Sequence, residues 1–311
     1  MVDVKIPMDV PENMKEEYKK NFLRATRNTG KLMMFAGDQK IEHLNDDFYG
    51  TTKEGITIPK DDADPEHLLK IASQGTIGMF ATQLGVIAHY GMDYKDVAYL
   101  VKINSKSHLV KKAQSDPLSQ SIIDFNDVLN LKKNGADIVA IGYTVYLGSA
   151  FEREMLQEAG RVVTKAHQNG LLAVLWMYPR GAAVADEKNP HLVAGAAGVA
   201  LTLGADFAKV NYPKRGDESR PEIFKEAIIA AGRTRIITSG GASRGVEQFL
   251  QETWDQINVS GARGNATGRN IHQKTLAEAV RMTKAISAIT LGGKSVADAV
   301  KVWKGEEDFS I

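Results

Sequence analysis

Short apolar segments alternate with longer amphipathic stretches along most of this chain. Several of the apolar segments follow a glycine that is typical of a helix end, as at Gly135, Gly170 and Gly204. The alternation of strand and helix patterns predicts βαβ units and a parallel sheet. The segments with the length and composition of strands are Lys31–Ala36, Ile77–Ala81, Ala98–Ile103, Asp137–Ile141, Leu171–Tyr178, Asp206–Asn211, Arg235–Thr238 and Gln256–Val259.

The number of these units predicts the fold. Eight strand–helix units in a chain of 311 residues predict an α/β protein with a (β/α)8 TIM barrel. A doubly wound sheet is the alternative, because periodicity does not distinguish a closed sheet from an open one. The helical pattern over Glu12–Arg27 precedes the first strand, so we divide the chain into an N-terminal arm (1–30) and a single barrel catalytic domain (31–311).

Composition narrows the range of partners. Lys and Arg total 39 against 38 Asp and Glu, which gives no support for a nucleic-acid or acidic-membrane partner. The absence of cysteine excludes disulfides and a cysteine nucleophile. We find no signal-peptide pattern and no apolar run of membrane-spanning length, and therefore expect a cytoplasmic protein. No short histidine motif, dinucleotide fingerprint or P-loop is present, so no metal or cofactor is expected.

Lys209 lies near the end of an apolar segment, where a strand buried on both faces is expected to carry no charge. A buried amine costs free energy unless it is paired, neutral or used in chemistry. Burial lowers the pKa of a lysine, and the neutral amine attacks a carbonyl carbon to form a Schiff base. Lys209 is therefore a candidate nucleophile, and the alternative is an ordinary paired or snorkelling lysine. Lys102, at another strand end, is a rival amine.

Aromatic residues end the strand that precedes Lys209. Trp176 and Tyr178 are two positions apart and share one face of that strand. Consecutive barrel strands are neighbours, about 4.8 Å apart, so Tyr178 and Lys209 come within reach of one substrate carbon if both point inward. A phenol beside an amine suits general acid–base catalysis. Core packing is the alternative interpretation, and it is strongest for Trp176.

Glycine-rich segments follow the last two predicted strands. Barrels often bind phosphate with the loops after strands seven and eight, because glycine lets the backbone approach an anion closely. Tight turns and helix starts are the alternative explanation. The candidate phosphate-binding residues are Ser239, Gly240, Gly241, Gly268 and Arg269.

The end of the first strand offers Asp38, Gln39 and His43. At the carboxyl end of a barrel strand, these side chains are candidates for the active site. A solvated loop with Asp38 as a helix N-cap is the alternative.

Five segments together resemble the archaeal-type class I fructose-bisphosphate aldolases. They are FAGDQKIEH, WMYPRG, DFAKVNYP, TSGGAS and ATGRNIHQ, and the likeness runs over about residues 30–300 with the segments in family order. The resemblance implies a metal-free and cofactor-free enzyme that cleaves fructose 1,6-bisphosphate reversibly in glycolysis and gluconeogenesis. It also implies a phosphorylated sugar as substrate and a large homo-oligomer.

Residue roles follow from the resemblance. Lys209 is implied as the Schiff-base lysine, Tyr178 as the principal proton-transfer group and Asp38 as the acidic residue near the lysine. Gln39, His43 and Trp176 resemble substrate contacts, and Arg180 is a candidate for the second phosphate. Two other functions stay open: a related Schiff-base transaldol synthase of the 2-amino-3,7-dideoxy-heptulosonate type, and a phosphosugar-binding barrel without covalent catalysis.

Overall fold

Eight parallel strands close into a barrel in chain order in the computed structural model, which describes residues 2–53, 55–216 and 220–311. Each strand pairs in parallel with the next, and the first pairs with the last. The predicted TIM barrel is therefore confirmed, and the doubly wound alternative is wrong. The strands are β1 Leu32–Ala36, β2 Met79–Thr82, β3 Tyr99–Lys102, β4 Ile138–Leu147, β5 Leu172–Pro179, β6 Phe207–Val210, β7 Arg235–Ser239 and β8 Gly264–Thr267.

Helices surround the barrel, and several begin at local capping signals. Asp124 and Ser295 each form a capping box at the start of a helix, and Asn189 accepts hydrogen bonds from the first turn of another. The helices are α1 Lys15–Ala25, α2 Gln39–His43, α3 Glu66–Gln74, α4 Leu84–Tyr90, α5 Phe125–Lys133, α6 Glu152–Gln168, α7 Pro190–Thr202, α8 Pro221–Ala230, α9 Val246–Asn258, α10 Arg269–His272, α11 Leu276–Thr290 and α12 Val296–Lys304, with short 3₁₀ turns at Glu12–Met14 and Lys60–Ala63.

The predicted eighth strand, Gln256–Val259, is wrong. Gln256 and Ile257 are buried on the last turn of α9, in register with Phe249, Leu250 and Thr253, which is the spacing of one helix face. The real β8 has the sequence GNAT and lacks the apolar run of a buried strand. It begins at Gly264, where an added Cβ would lie 1.8 Å from the carbonyl oxygen of Leu32, so only glycine permits this pairing.

The N-terminal arm packs into the bottom of the barrel. Tyr18 and Phe22 on α1 are fully buried, and the Phe22 ring stacks on Phe207 with 6.1 Å between ring centroids. These residues join the apolar cluster inside the barrel, whereas a second and larger apolar cluster lies between the strands and the outer helices. The arm therefore closes the end of the barrel opposite to the carboxyl ends of the strands. The domain boundary at residue 30 stays a prediction.

A buried polar network joins the arm to the barrel. His167, which is fully buried at the end of α6, lies with its Nδ1 2.8 Å from Asp9 and its Nε2 3.1 Å from Asp206. Asp206 also accepts hydrogen bonds from the Tyr18 hydroxyl and from the Ala173 amide. Burial lowers the pKa of His167, but the hydrogen bonds and charges of Asp206 and Asp9 outweigh it and raise that pKa to about 9.

Of the helices in the described residues, none has the length and apolar character needed to cross a membrane.

Candidate active site

A cavity of about 270 Å³ opens at the carboxyl ends of the strands. It is lined by residues that follow β1, β5, β6, β7 and β8, together with one residue from the long connection after β3. Every residue that the sequence analysis assigns to the site lies on its wall: Asp38, Gln39, His43, Trp176, Tyr178, Arg180, Lys209, Ser239, Gly240, Gly241, Gly268 and Arg269. The fold therefore brings together residues that are up to 231 positions apart in a chain of 311.

Lys209 on β6 is only 6% exposed. Within the described part of the chain, its amine has neither a hydrogen bond nor an ion pair. Burial lowers the pKa of Lys209 and the Arg269 charge lowers it further, although Asp38 and Glu42 act in the opposite direction. A lysine in this state supplies a neutral amine more readily than a surface lysine does, which is the requirement for attack on a carbonyl.

Trp176 separates the two buried lysines. Its ring centroid lies 5.1 Å from Lys209 Nζ and 5.2 Å from Lys102 Nζ. Gly142 makes room for this ring, since an added Cβ would lie 2.7 Å from Trp176 Cζ3. Trp176 is also the register partner of Lys209 across the β5–β6 pair, so the sheet itself fixes the contact.

Lys102 differs from Lys209 in its contacts. Its Nζ donates to the Asn104 carbonyl oxygen at 2.7 Å and to Asn104 Oδ1 at 3.1 Å. Burial lowers the pKa of Lys102 to about 8, against the opposing charges of Asp38 and Glu42. Of the two amines, Lys209 lines the cavity, whereas Lys102 is held by Asn104 behind Trp176. The geometry thus favours Lys209 as the nucleophile.

Tyr178 places a phenol on the cavity wall two residues beyond Trp176. Burial raises the pKa of Tyr178 well above its ordinary value, and the charges of Glu42 and Asp38 raise it further. The hydroxyl therefore stays protonated at neutral pH and is suited to donate a proton. No partner for it is found among the described residues, which leaves it available to a substrate.

Glu42 is a cavity residue that the sequence analysis missed. Its Oε1 lies 2.8 Å from His108 Nε2, accepts a hydrogen bond from the Tyr146 hydroxyl at 3.1 Å, and lies 3.8 Å from Arg180 Nη1. Burial raises the pKa of Glu42, but the hydrogen bond and charges of the neighbouring His108, His43 and Lys102 lower it far more, so the carboxylate is ionised. A signal was present, because Glu42 lies four residues after Asp38 and therefore on the same side of a helix.

Three further lining residues were missed for different reasons. Asn211 lies two residues after Lys209, so the period of a strand places it on the same face. Ala266 has no chemical signature. His108 comes from the middle of the connection after β3, and only the tertiary fold brings it to the site.

Among the residues that the structure describes, Glu42, His43 and His108 could hold a metal ion, because one ligand atom from each lies within 4.8 Å of the others. His43 Nδ1 is oriented by Asp47, as is common for a metal-ligating histidine. The surrounding charge opposes a cation, however, since Lys102 and Arg180 both act on Glu42. This electrostatic setting suits the hydroxyl and phosphate oxygens of a substrate better than a divalent ion.

The loops after β7 and β8, which contain the candidate phosphate-binding residues, lie side by side at the wall of the catalytic cavity. An added Cβ on Gly240 would lie 3.2 Å from Thr267, and one on Gly268 would lie 2.3 Å from Gln39 Nε2. Gly240 therefore lets the loops after β7 and β8 lie close together, and Gly268 lets the loop after β8 pack against Gln39. The Gly240 amide already donates to the Ala266 carbonyl oxygen, whereas the Arg269 side chain lies at the cavity, 3.7 Å from Asp47.

The model of the DeoC/LacD aldolase family matches residues 32–274. A protein of Methanocaldococcus jannaschii named fructose-bisphosphate aldolase/6-deoxy-5-ketofructose 1-phosphate synthase is 59% identical over 305 residues, which cover 98% of this chain and 96% of that protein. A solved fructose-bisphosphate aldolase from Slackia heliotrinireducens is 54% identical, has a TM-score of 0.95, and is matched over 99% of this chain and 96% of that one.

A second solved structure carries information on chemistry. It is an archaeal fructose-1,6-bisphosphate aldolase whose catalytic lysine is covalently bound to the carbinolamine intermediate of its substrate. Its sequence is 32% identical, its TM-score is 0.75, and the match covers 88% of this chain and all of that one (100%).

Proposed function

The chain belongs to the DeoC/LacD family of aldolases and to its archaeal-type class I fructose-bisphosphate aldolases, and we propose that Lys209 is the amine that forms the Schiff base. The activity is the reversible cleavage of fructose 1,6-bisphosphate to dihydroxyacetone phosphate and glyceraldehyde 3-phosphate. The observation that carries the residue assignment is a buried amine, without a hydrogen bond or ion pair to any described residue, at the wall of a cavity that it shares with a phenol and an ionised carboxylate.

The first half of the reaction builds an electron sink. The neutral Lys209 amine attacks C2 of the open-chain ketose and gives a carbinolamine, which loses water to form an iminium ion. Tyr178, whose raised pKa keeps the phenol protonated, is assigned the protonation of the enamine in the second half of the reaction. Trp176 restricts the Lys209 side chain to one side of the site.

The second half breaks the carbon–carbon bond. A carboxylate takes the proton of the C4 hydroxyl, the C3–C4 bond cleaves, and its electron pair moves to the iminium nitrogen to give an enamine. Glyceraldehyde 3-phosphate leaves, the enamine is protonated at C3, and hydrolysis frees dihydroxyacetone phosphate and the Lys209 amine. Asp38 and Glu42 are the carboxylates whose charges reach Lys209, and we assign Asp38 the catalytic role.

Substrate contacts complete the assignment. Ser239, Gly241, Gly268 and Arg269 hold the phosphate next to C1, with Gly240 shaping the loop, while Gln39 and His43 contact the sugar hydroxyls. Fixing one phosphate orients the ketone against Lys209. Such orientation lowers the activation barrier by several kcal/mol, and by about 7–11 kcal/mol in the best cases.

The test is reductive trapping. Borohydride added with dihydroxyacetone phosphate should reduce the imine and leave a stable adduct on the peptide that contains Lys209. Lys209→Met should abolish both the adduct and turnover, while the matched variant Lys102→Met should keep the adduct. An adduct on Lys102 would transfer the chemistry to that residue. Phosphate binding with no adduct and no turnover in the wild-type protein would favour the non-covalent phosphosugar-binding barrel.

A second activity has support from the printed name of the Methanocaldococcus jannaschii relative, which includes a 6-deoxy-5-ketofructose 1-phosphate synthase. The same amine chemistry would serve it, because an enamine formed on Lys209 can add to a different aldehyde. Methylglyoxal offered in place of glyceraldehyde 3-phosphate tests this activity by product mass. The heptulosonate-type synthase is tested in the same panel, by turnover of a deoxyketohexose phosphate without cleavage of fructose 1,6-bisphosphate.

Assembly into a large homo-oligomer and a cytoplasmic location stay predictions.

A further inference from the structure

Asp47 lies just outside the catalytic cavity, on the connection that follows α2. It is only 8% exposed and is not one of the residues that line the cavity. Its carboxylate nevertheless contacts two residues that do line it, since it is paired with His43 Nδ1 and lies 3.7 Å from Arg269 Nε. Under the proposed function, these two residues contact a sugar hydroxyl and the phosphate next to C1. Asp47 therefore lies behind both substrate contacts.

The backbone at Asp47 is held by residues at the end of α10. The Asp47 carbonyl oxygen accepts a hydrogen bond from Gln273 Nε2 at 2.9 Å. The next residue, Phe48, is fully buried and stacks on the His272 ring, with 4.8 Å between the ring centroids and 12° between the ring planes. Because β1 and β8 are paired neighbours, the segments that follow them meet at this point. The Asp47 carboxylate is thus presented to the site from a fixed position.

The charge of Asp47 determines what its carboxylate can do. Burial raises the pKa of Asp47, but the hydrogen bond and charge of His43 and the charges of Arg269 and His272 lower it by more, so the carboxylate is ionised. An ionised carboxylate only accepts hydrogen bonds, and the proton of this contact must therefore come from His43 Nδ1. The hydrogen bond made by one imidazole nitrogen decides which nitrogen carries the proton. Asp47 thus keeps a proton on Nδ1 of His43.

The other ring nitrogen of His43 is available to a substrate. Within the part of the chain that the structure describes, Nε2 of His43 has no hydrogen-bond partner, and the residue lines the catalytic cavity. The His43 ring packs against the His108 ring, with 4.6 Å between the ring centroids, which restricts its rotation. His108 is itself anchored, because its Nε2 lies 2.8 Å from Glu42 Oε1 and its amide donates to the Glu42 carbonyl oxygen at 2.9 Å. A neutral imidazole with its proton on Nδ1 offers Nε2 as a hydrogen-bond acceptor.

We propose that Asp47 is a positioning residue for the aldolase reaction, because it holds the His43 ring with Nδ1 protonated so that Nε2 accepts a hydrogen bond from a hydroxyl group of the sugar phosphate. This inference rests on the proposed aldolase function. The same carboxylate lies against Nε of Arg269, the guanidinium nitrogen nearest to the backbone, and so restrains that side chain as well. Asp47 thereby ties the hydroxyl contact to the phosphate contact from outside the cavity.

A double-mutant cycle tests whether Asp47 acts through His43. Asp47→Asn keeps the size of the side chain, but its amide can donate as well as accept and no longer fixes the ring proton. For fructose 1,6-bisphosphate we expect kcat/KM to fall about 10-fold in Asp47→Asn, a loss at the lower end of that seen when a metal-ligating histidine loses its hydrogen-bonding partner. In the His43→Gln background the same change should alter kcat/KM by less than about 2-fold, since no ring is left to orient.

The matched control is Asp46→Asn, which makes the same change at the adjacent and exposed residue. This control should keep the wild-type kcat/KM. An unchanged kcat/KM in Asp47→Asn would overturn the proposal, and so would an equal loss in the wild-type and His43→Gln backgrounds or an equal loss in Asp46→Asn. Unfolding midpoints establish that the compared variants are folded, and Asp47→Ser repeats the cycle if the asparagine variant does not fold.

The aldolase assignment fails in a different way. It is tested in the wild-type protein, by borohydride trapping of dihydroxyacetone phosphate on Lys209. Absence of that adduct would refute the Schiff-base assignment whatever the Asp47 variants show. If the adduct forms, the double-mutant cycle alone decides the role of Asp47.

Discussion

The two ends of the barrel treat buried basic side chains in opposite ways. At the bottom, His167 is fully buried between Asp9 and Asp206, and its pKa is raised to about 9. At the mouth, Lys209 is 6% exposed and has no such partner among the described residues, and burial lowers its pKa. The bottom of the barrel favours the charged form of His167, whereas the mouth favours the neutral form of Lys209. The difference indicates that paired charges join the arm to the barrel, while the lack of a paired carboxylate at the mouth suits Lys209 to the role that we propose for it.

The same contrast holds for a tyrosine at each end. The Tyr18 hydroxyl donates to Asp206 and is fully enclosed, whereas the Tyr178 hydroxyl faces the catalytic cavity. Each residue can be changed to phenylalanine, which removes one oxygen and keeps the ring. These matched changes separate a stabilising hydroxyl from a catalytic one.

The largest effect is expected for Tyr178→Phe. Turnover of fructose 1,6-bisphosphate should fall about 10²- to 10⁴-fold, because proton transfer is lost while the amine remains. The borohydride adduct on Lys209 should still form, and the free energy of unfolding should stay near the wild-type value. Steady-state kinetics, peptide mass analysis and urea unfolding measure the three quantities. Tyr18→Phe is the control, with normal turnover and a free energy of unfolding lower by about 1–3 kcal/mol. Full activity of Tyr178→Phe would end its assigned role.

Asp206→Ala should break the network at the bottom without touching the chemistry. The change leaves His167 and Tyr18 buried with fewer partners, and removing one member of a buried charged pair costs about 3–5 kcal/mol. The free energy of unfolding from urea titration should fall by that amount, while kcat of the folded enzyme is retained. Asp3→Ala is the matched control, because Asp3 is an exposed arm residue whose loss should matter by less than about 0.5 kcal/mol. A loss of kcat in folded Asp206→Ala would contradict the separation of the two ends.

The pH dependence of stability should report on His167. Its pKa in the folded protein, about 9, lies above the ordinary value of 6.5, so its contribution is complete below pH 6.5 and is lost as pH rises through 9. Over this window the free energy of unfolding should decline by about 3 kcal/mol, given about 1.4 kcal/mol for each pKa unit between 6.5 and about 9. Unfolding at pH 6, 7.5 and 9.5 measures it. His167→Gln should be less stable at pH 6 but should show a flatter profile, and an equally steep decline in that variant would assign the dependence to other groups.

The accuracy with which the sequence predicts each strand depends on how many apolar side chains that strand buries. β1, β2, β5 and β6 are mostly apolar and almost wholly buried, and the sequence pattern locates them to within a few residues. β8 was missed because a strand of four small and polar residues has no apolar signature, and its place is fixed by pairing with β1 and β7. The segment Gln256–Val259 was mistaken for it because the last turn of an amphipathic helix and a short strand have similar composition over four residues.

The prediction of site residues was limited in the same way, because it worked only where the local sequence has a recognisable pattern. The sequence proposed Lys209, Tyr178 and Asp38 for the site because each lies at or just after the end of a recognisable strand, and barrel geometry places such positions at one end. His108 lies in a long connection without periodicity, where nothing in the local sequence indicates which wall it will face. Glu42 was overlooked although its spacing from Asp38 was informative.

The sequence by itself determined the barrel and the candidates Lys209 and Tyr178 for its chemistry, because burial periodicity and strand order depend on residues close together in the chain. Only the tertiary structure decided that Lys102 is held by Asn104, that Lys209 has no hydrogen bond or ion pair among the described residues, and that Glu42 and His108 meet at the cavity. The physical reason is that desolvation and charge pairing depend on which distant residues fill the space around a side chain. That space exists only once the ring of strands has closed.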